Sequence, residues 1–274
     1  VPMFAADFSS SEAAQCLVGD GVLGSEVLPL CAWQIDLPES VLRCSSSPDQ
    51  LDHVDSAAKQ RLYDFGYPHA PIFDVRFAPE ARSKVLFDTG SPAYFTVSPP
   101  DFEGTRQAGG IGRTLTGHGS LGASLGGQAP RAAQLQAELK SLSIGGVDLG
   151  SVVAVRREMP PSLLGASILE HFVVTLDSRT ESAWFDKYRE GPYERPSFGF
   201  SLSFEEDIYV SLVWDDSPAA RAGVRVGQRL SALNGIPTDA SCKGIRRALE
   251  AMGGENIELA WDGGAVTLER ELTN

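Results

Sequence analysis

The chain has 274 residues, 42% hydrophobic and 22% charged, with a formal net charge of −13. That length accommodates two domains, and no apolar run reaches the roughly 18 residues of a membrane-crossing helix. The carboxylate surplus repels phosphates, which argues against nucleic acid as a partner.

In chain order, the first patterned stretch is VLGSEVLPLCAWQIDLPESVL, Val22 to Leu42. Residues 45–68, SSSPDQLDHVDSAAKQRLYDFGYP, combine a Ser/Pro opening with a short helical pattern and read as a connector. From His69 to Asp186 the chain is β-rich. Within it, KVLFDTGSPAYFTV places Asp88-Thr89-Gly90 between two β runs, Val85–Phe87 and Ala93–Val97. A carboxylate is thereby held at the tip of a tight loop. Gly90 lets a backbone N–H approach it, while Thr89 has a hydroxyl to brace the loop. Taken alone, such a triplet is equally a β-turn whose Asp satisfies its own backbone.

Residues 108–128, AGGIGRTLTGHGSLGASLGGQ, are rich in Gly and read as a surface loop or hairpin tip. They lack the sequence context of a phosphate-binding loop. Further on, LLGASILEHFVVTLD, Leu163 to Asp177, repeats the early stretch in ungapped register. Leu23, Gly24, Leu28 and Asp36 match Leu164, Gly165, Leu169 and Asp177 at a constant offset of 141. An internal repeat therefore dominates the architecture.

The Asp-Thr-Gly loop followed by Leu163-Leu164-Gly165 and a strand ending in Asp resembles a lobe of the pepsin/retropepsin aspartic proteases. This resemblance implies an acid-protease-type β-barrel lobe over 69–187, preceded by a partial second lobe over 1–44. In such lobes VPMFAADF would be the strand before the first Leu-Gly. Asp88 would be one of two catalytic carboxylates, positioned by Thr89, Gly90 and Ser91, with Leu163, Leu164 and Gly165 supporting the loop. The offset puts the matching Asp at 88 − 141 = −53, so the expectation is a truncated or processed first lobe. The partner carboxylate would then lie upstream or on another chain. In this reading the Gly-rich stretch would be a flap-like hairpin. No metal or organic cofactor is implied, and the substrate is polypeptide.

The four cysteines, Cys16, Cys31, Cys44 and Cys242, show no metal-ligand spacing. They are compatible with one disulfide in an exported protein, and equally with Cys31 and Cys44 as small core residues at the positions of Phe172 and Phe185. His53, His69, His118 and His171 read as solvated or loop residues.

Residues 188–196 form a charged, Pro-bearing linker. Beyond it, Ser197-Phe198-Gly199-Phe200, Ser217-Pro218-Ala219-Ala220, Ala222-Gly223-Val224, Gly227-Gln228 and Asn234-Gly235 together resemble a PDZ domain over 197–274. The helix and turn signals are similar to those of PDZ domains attached to bacterial proteases, with Gln228 where an Asp is more usual. Ser241 to Met252, with Ile245, Leu249 and Met252 at helical spacing, would be the groove helix. Ser197, Phe198, Gly199 and Phe200 would bind a peptide C-terminus or an extended segment, although Phe198 and Phe200 also suit a core. The expected fold is mainly β: a protease-like barrel lobe, a partial lobe before it, and a β-rich PDZ domain with one or two helices after it. The expected function is an exported bacterial aspartic endopeptidase. Its rival is an inactive protease-like scaffold whose PDZ domain binds peptide ends.

Overall fold

A computed structural model describes residues 15, 16, 18, 19, 21–66, 69–124 and 127–272. The VPMFAADF strand lies outside them. The fold is mainly β and comprises two units. The first unit includes residues 23–114 and 136–194; the second includes the described residues up to Val22 together with residues 115–135 and 195–272.

The first unit contains a six-stranded barrel and a five-stranded sheet. β1 (Ala32–Asp36), β2 (Val41–Ser45) and β3 (Ala58–Arg61) are followed by β4 (Ile72–Ala78), β5 (Ala81–Asp88) and β6 (Phe95–Val97). After helix α1 (Pro99–Gln107), β7 (Ile111–Gly119) begins in this unit and ends in the second, where the short pair β8 (Ala123–Ser124) and β9 (Gly127–Gln128) follows. β10 (Ala132–Ile144), β11 (Val147–Arg156), β12 (Ser162–Gly165), β13 (Phe172–Asp177) and β14 (Ser182–Lys187) complete the set.

The barrel closes in the order β11-β6-β12-β5-β4-β10, with β10 pairing back to β11. Alternate residues of β4 and β5 point inward, so Phe73, Val75, Phe77, Val85 and Phe87 meet in one core with Phe95, Leu139, Leu164, Phe172 and Phe185. Gly145 and Gly146, both at positive φ, make the two-residue turn that joins β10 to β11.

The five-stranded sheet has the order β2-β1-β13-β14-β3. Its centre is a pseudo-dyad. Gln34 pairs with Thr175, its repeat mate at the 141 offset, and Gln34 Nε2 donates to Thr175 Oγ1 at 2.9 Å. The 3-10 turn Ser25–Leu30 with β1 and β2 therefore answers the 3-10 turn Ala166–Glu170 with β13 and β14. Buried Asp36 pairs with Arg43 and buried Asp177 with Arg179.

The structure departs from the sequence expectation in several places. Residues 58–61, placed in a connector, are sheet strand β3, because β14 offers them a free edge. Part of the supposed linker is packed: Tyr193 is buried and bridges to Val152, and Tyr188 Oη donates to the Leu169 carbonyl. His171 is buried rather than solvated, because its ring stacks among Tyr94 and Tyr193.

The second unit holds β15 (Phe200–Phe204), β16 (Ile208–Trp214), α2 (Pro218–Arg221), β17 (Ala232–Leu233), β18 (Ile236–Pro237), α3 (Cys242–Gly253), β19 (Asn256–Trp261) and β20 (Gly264–Glu269). Phe198, Phe200, Ile208, Val210, Leu259 and Leu268 are among its core. The Gly-rich stretch is no free loop here: residues 117–119 of β7 pair with β16. A Cβ on Gly119 would lie 2.1 Å from the Ser211 carbonyl, and one on Gly117 would enter the Trp214 ring. Two disulfides are formed, Cys16–Cys242 in the second unit and Cys31–Cys44 in the first.

Candidate functional site

In the first unit, β12 inserts between the two strands that flank Asp88. It pairs parallel with β5, aligning Gly165 with Asp88, and antiparallel with β6, aligning Leu164 with Phe95. The loop connecting β5 to β6 must therefore pass over the end of β12. Gly165 makes that crossing feasible, because a Cβ there would lie 2.1 Å from the Ala93 carbonyl and 2.7 Å from that of Ser91. Backbone bonds then lock the crossing: Ala166 N–H to the Ser91 carbonyl at 2.7 Å and Gly165 N–H to the Tyr94 carbonyl at 3.0 Å. The Ser167 hydroxyl adds a bond to the Pro92 carbonyl.

The Asp88 carboxylate is half-buried at the tip of this loop. Gly90 N–H donates to its Oδ1 at 2.9 Å, and Ser91 N–H donates to the Asp88 carbonyl at 3.0 Å. Thr89 and Gly90 are exposed, Ser91 and Leu163 are half-buried, and Leu164 is in the core. The loop therefore brings Asp88, Thr89, Gly90 and Ser91 together above the Leu163-Leu164-Gly165 support.

Sequence reasoning missed Arg157 and a cluster of side chains behind the loop. Half-buried Arg157 lies within electrostatic reach of Asp88: burial lowers its guanidinium pKa and the Asp88 charge works against that. Behind the loop, Tyr94 Oη donates to Glu170 at 2.9 Å and lies 3.1 Å from His171 Nε2, while His171 Nδ1 faces the Glu190 carbonyl. Tyr193, whose hydroxyl is buried without a partner, closes the cluster, and burial first, then Glu190 and Asp148, push its pKa up to about 12. Tyr94, Glu170 and His171 fall within the quoted Asp88 and Leu163–Asp177 stretches, but only tertiary packing brings them together with Tyr193.

The second unit presents a different site. β15 pairs with β16 along one side and is the last strand of its sheet, so its other edge is open among the described residues. Helix α3 is capped by Ser241, whose hydroxyl accepts from Gly244 N–H. It buries Ile245 and Ala248 and leaves Leu249 exposed. Phe198 and Phe200 are core residues, so their backbone rather than their rings is what the loop can offer a ligand. Gly199 is at φ +80°, a Cβ there would collide with Ser217, its N–H is taken by Ser197 Oγ, and its carbonyl accepts from Trp214 N–H.

Residues 209–262 match the PDZ domain family. The chain carries a PDZ domain. The matched span runs from β16 to the end of β19 and stops short of the 197–200 loop and β15. No curated protein matches the chain.

Proposed function

We propose that this protein is an aspartic endopeptidase in which Asp88 is one of two carboxylates sharing a proton. The ionised member activates water and the protonated one polarises the scissile carbonyl. The observation that carries this reading is the loop crossing, which holds a carboxylate at a strand tip over a glycine that only a backbone approach explains. The PDZ domain supports peptide recognition, and β15, the last strand of its sheet among the described residues, suits an extended segment added as a further strand. The two disulfides support an oxidising, exported setting, in keeping with the bacterial kind of PDZ domain that the sequence resembles.

The test is cleavage of an unfolded protein between about pH 3 and pH 7, the range that brackets an ordinary and a raised carboxyl. Acid-side activity should vanish in Asp88→Asn while the fold is retained; undiminished activity in that variant refutes the reading. A second reading, a peptide-binding scaffold without catalysis, is favoured by the PDZ match over residues 209–262. Peptide capture without cleavage at any pH would select it.

A further inference from the structure

The second unit holds a cleft away from the open edge of β15. It lies between the β17–β18 hairpin and one side of α3 and encloses about 300 Å³. None of the described residues that line it belongs to 197–204, so it is separate from the strand that suits an extended peptide. Ile208, Leu233 and Ala248 form a buried floor, and Ile236, Pro237 and Ala251 add apolar walls.

The frame around the cleft holds it open. Asn234 and Gly235, both at positive φ, make the two-residue turn of the hairpin. Asn234 is fastened to β19: its N–H donates to the Glu258 carbonyl at 2.9 Å, and its Oδ1 accepts from Glu258 N–H at 2.8 Å. At the other end the Thr238 hydroxyl donates to the Leu230 carbonyl at 2.6 Å, and Thr238 N–H donates to the Ser231 carbonyl at 3.0 Å. Gly244 lets the first turn of α3 sit against residue 239, since a Cβ there would lie 2.1 Å from the Asp239 carbonyl. Tied at both ends, the hairpin does not fold down onto α3, and Ile236 stays 49% exposed.

Two charges stand at the rim. Arg247 and Glu250 both line the cleft, three residues apart on α3, yet neither has a hydrogen-bond or ion-pair partner among the described residues. Asp239 lies within electrostatic reach of Arg247, but Lys243 reaches it too, and its carboxylate is already held by Ser241 N–H at 3.0 Å and by the Ser241 hydroxyl. Cβ atoms three residues apart on a helix sit about 5–6 Å from each other. An extended dipeptide spans at most about 7 Å, so its terminal carboxylate and ammonium can meet such a pair; the two charges of a free amino acid share one carbon.

We propose that this cleft binds a short apolar peptide by both of its termini, with Arg247 taking the carboxylate, Glu250 the ammonium, and Ile208, Leu233 and Ile236 receiving the side chains. Its volume is at the small end of the roughly 300–1,000 Å³ of ligand pockets, which suits two residues better than a longer segment. Short peptides are what hydrolysis of a polypeptide releases, so on the peptidase reading the cleft meets product. The binding itself does not rest on that reading.

The test is titration calorimetry of the full chain with three probes: Leu-Leu, Leu-Leu capped as N-acetyl and C-terminal amide, and free leucine. One Leu-Leu should bind per chain. The caps, the shorter probe and Arg247→Gln should each weaken binding about tenfold or more, as expected when a charge-assisted contact is lost. Leu249→Glu, at a position of α3 that does not line the cleft, should leave Leu-Leu binding unchanged. No saturable binding of Leu-Leu, or equal binding of the capped peptide or of leucine, overturns the proposal. Loss in Leu249→Glu with Arg247→Gln unaffected puts Leu-Leu outside the cleft and overturns it as well. The titration reads binding and not cleavage, so its failure is distinguishable from failure of the Asp88→Asn assay.

Discussion

His171 shows how a residue acquires a defined chemistry from its packing. Burial lowers its imidazole pKa below the usual 6.5, and Arg189 adds repulsion; hydrogen bonds at Arg189 and Glu190 and the Glu190 charge partly offset this, with Tyr94, Glu170 and Tyr193 packed around it. The neutral ring is therefore the folded form. Its contribution to stability is complete above the unfolded pKa and is lost as pH falls through the lowered folded value. Thermal unfolding between about pH 7 and pH 4 should show the parent losing Tm more steeply than His171→Gln as the histidine range is crossed. Equal slopes would mean the ring is not neutral in the fold. Asp36 and Asp177 act at lower pH: burial works to raise both, but Arg43 and Arg179 hold them below the ordinary carboxylate value, so their stabilisation disappears only as those carboxylates protonate.

At the scale of elements, the two copies of the repeat make paired predictions. Gly165→Ala forces a Cβ into the Ala93 and Ser91 carbonyls and should cost about 3 kcal/mol or more in urea denaturation. Gly24→Ala, with only the Glu26 side chain to displace, should be close to neutral in this chain. A comparable cost at both positions would contradict the asymmetry. The repeat also exchanges one stabilising device for another: where Phe172 and Phe185 pack with ring centroids 6.3 Å apart, their mates Cys31 and Cys44 form a disulfide. Its short loop should contribute about 3 kcal/mol, measured as the stability lost by Cys31→Ser with Cys44→Ser.

For the whole molecule, Cys16–Cys242 closes a span of 226 residues and fastens an N-terminal segment to the first turn of the groove helix. Chain-entropy arguments assign so long a loop about 5 kcal/mol, so Cys16→Ser should lower the stability of the second unit more than the Cys31–Cys44 pair lowers that of the first. Peptide binding should be measured on the full chain, because the second unit includes residues 115–135 as well as 195–272. Leu249→Glu, at an exposed position of α3, should weaken binding about tenfold without unfolding the domain if α3 lines the peptide groove, whereas Phe200→Asp would attack the core. Unchanged affinity in the Leu249 variant would move the peptide site elsewhere.

What the sequence determined by itself were the features written in local order: the carboxylate turn of Asp88-Thr89-Gly90, the 141-residue repeat, the helix Cys242–Gly253 with its Ile245–Leu249–Met252 spacing, and the PDZ landmarks. Each rests on strand alternation, helical period or a glycine between neighbours, which short stretches of chain encode. Tertiary structure alone decided that Gly165 lies beneath Ser91 and Ala93, that Arg157 comes within electrostatic reach of Asp88, and that Cys16 reaches Cys242. It also decided that residues 117–119 extend the second unit's sheet instead of forming a free loop. These are contacts between segments far apart in sequence, and they depend on which faces the barrel and sheets leave open. Composition carries no record of that choice, which is why Gly24 and Gly165 look alike in the sequence and differ only in whether another backbone crosses them.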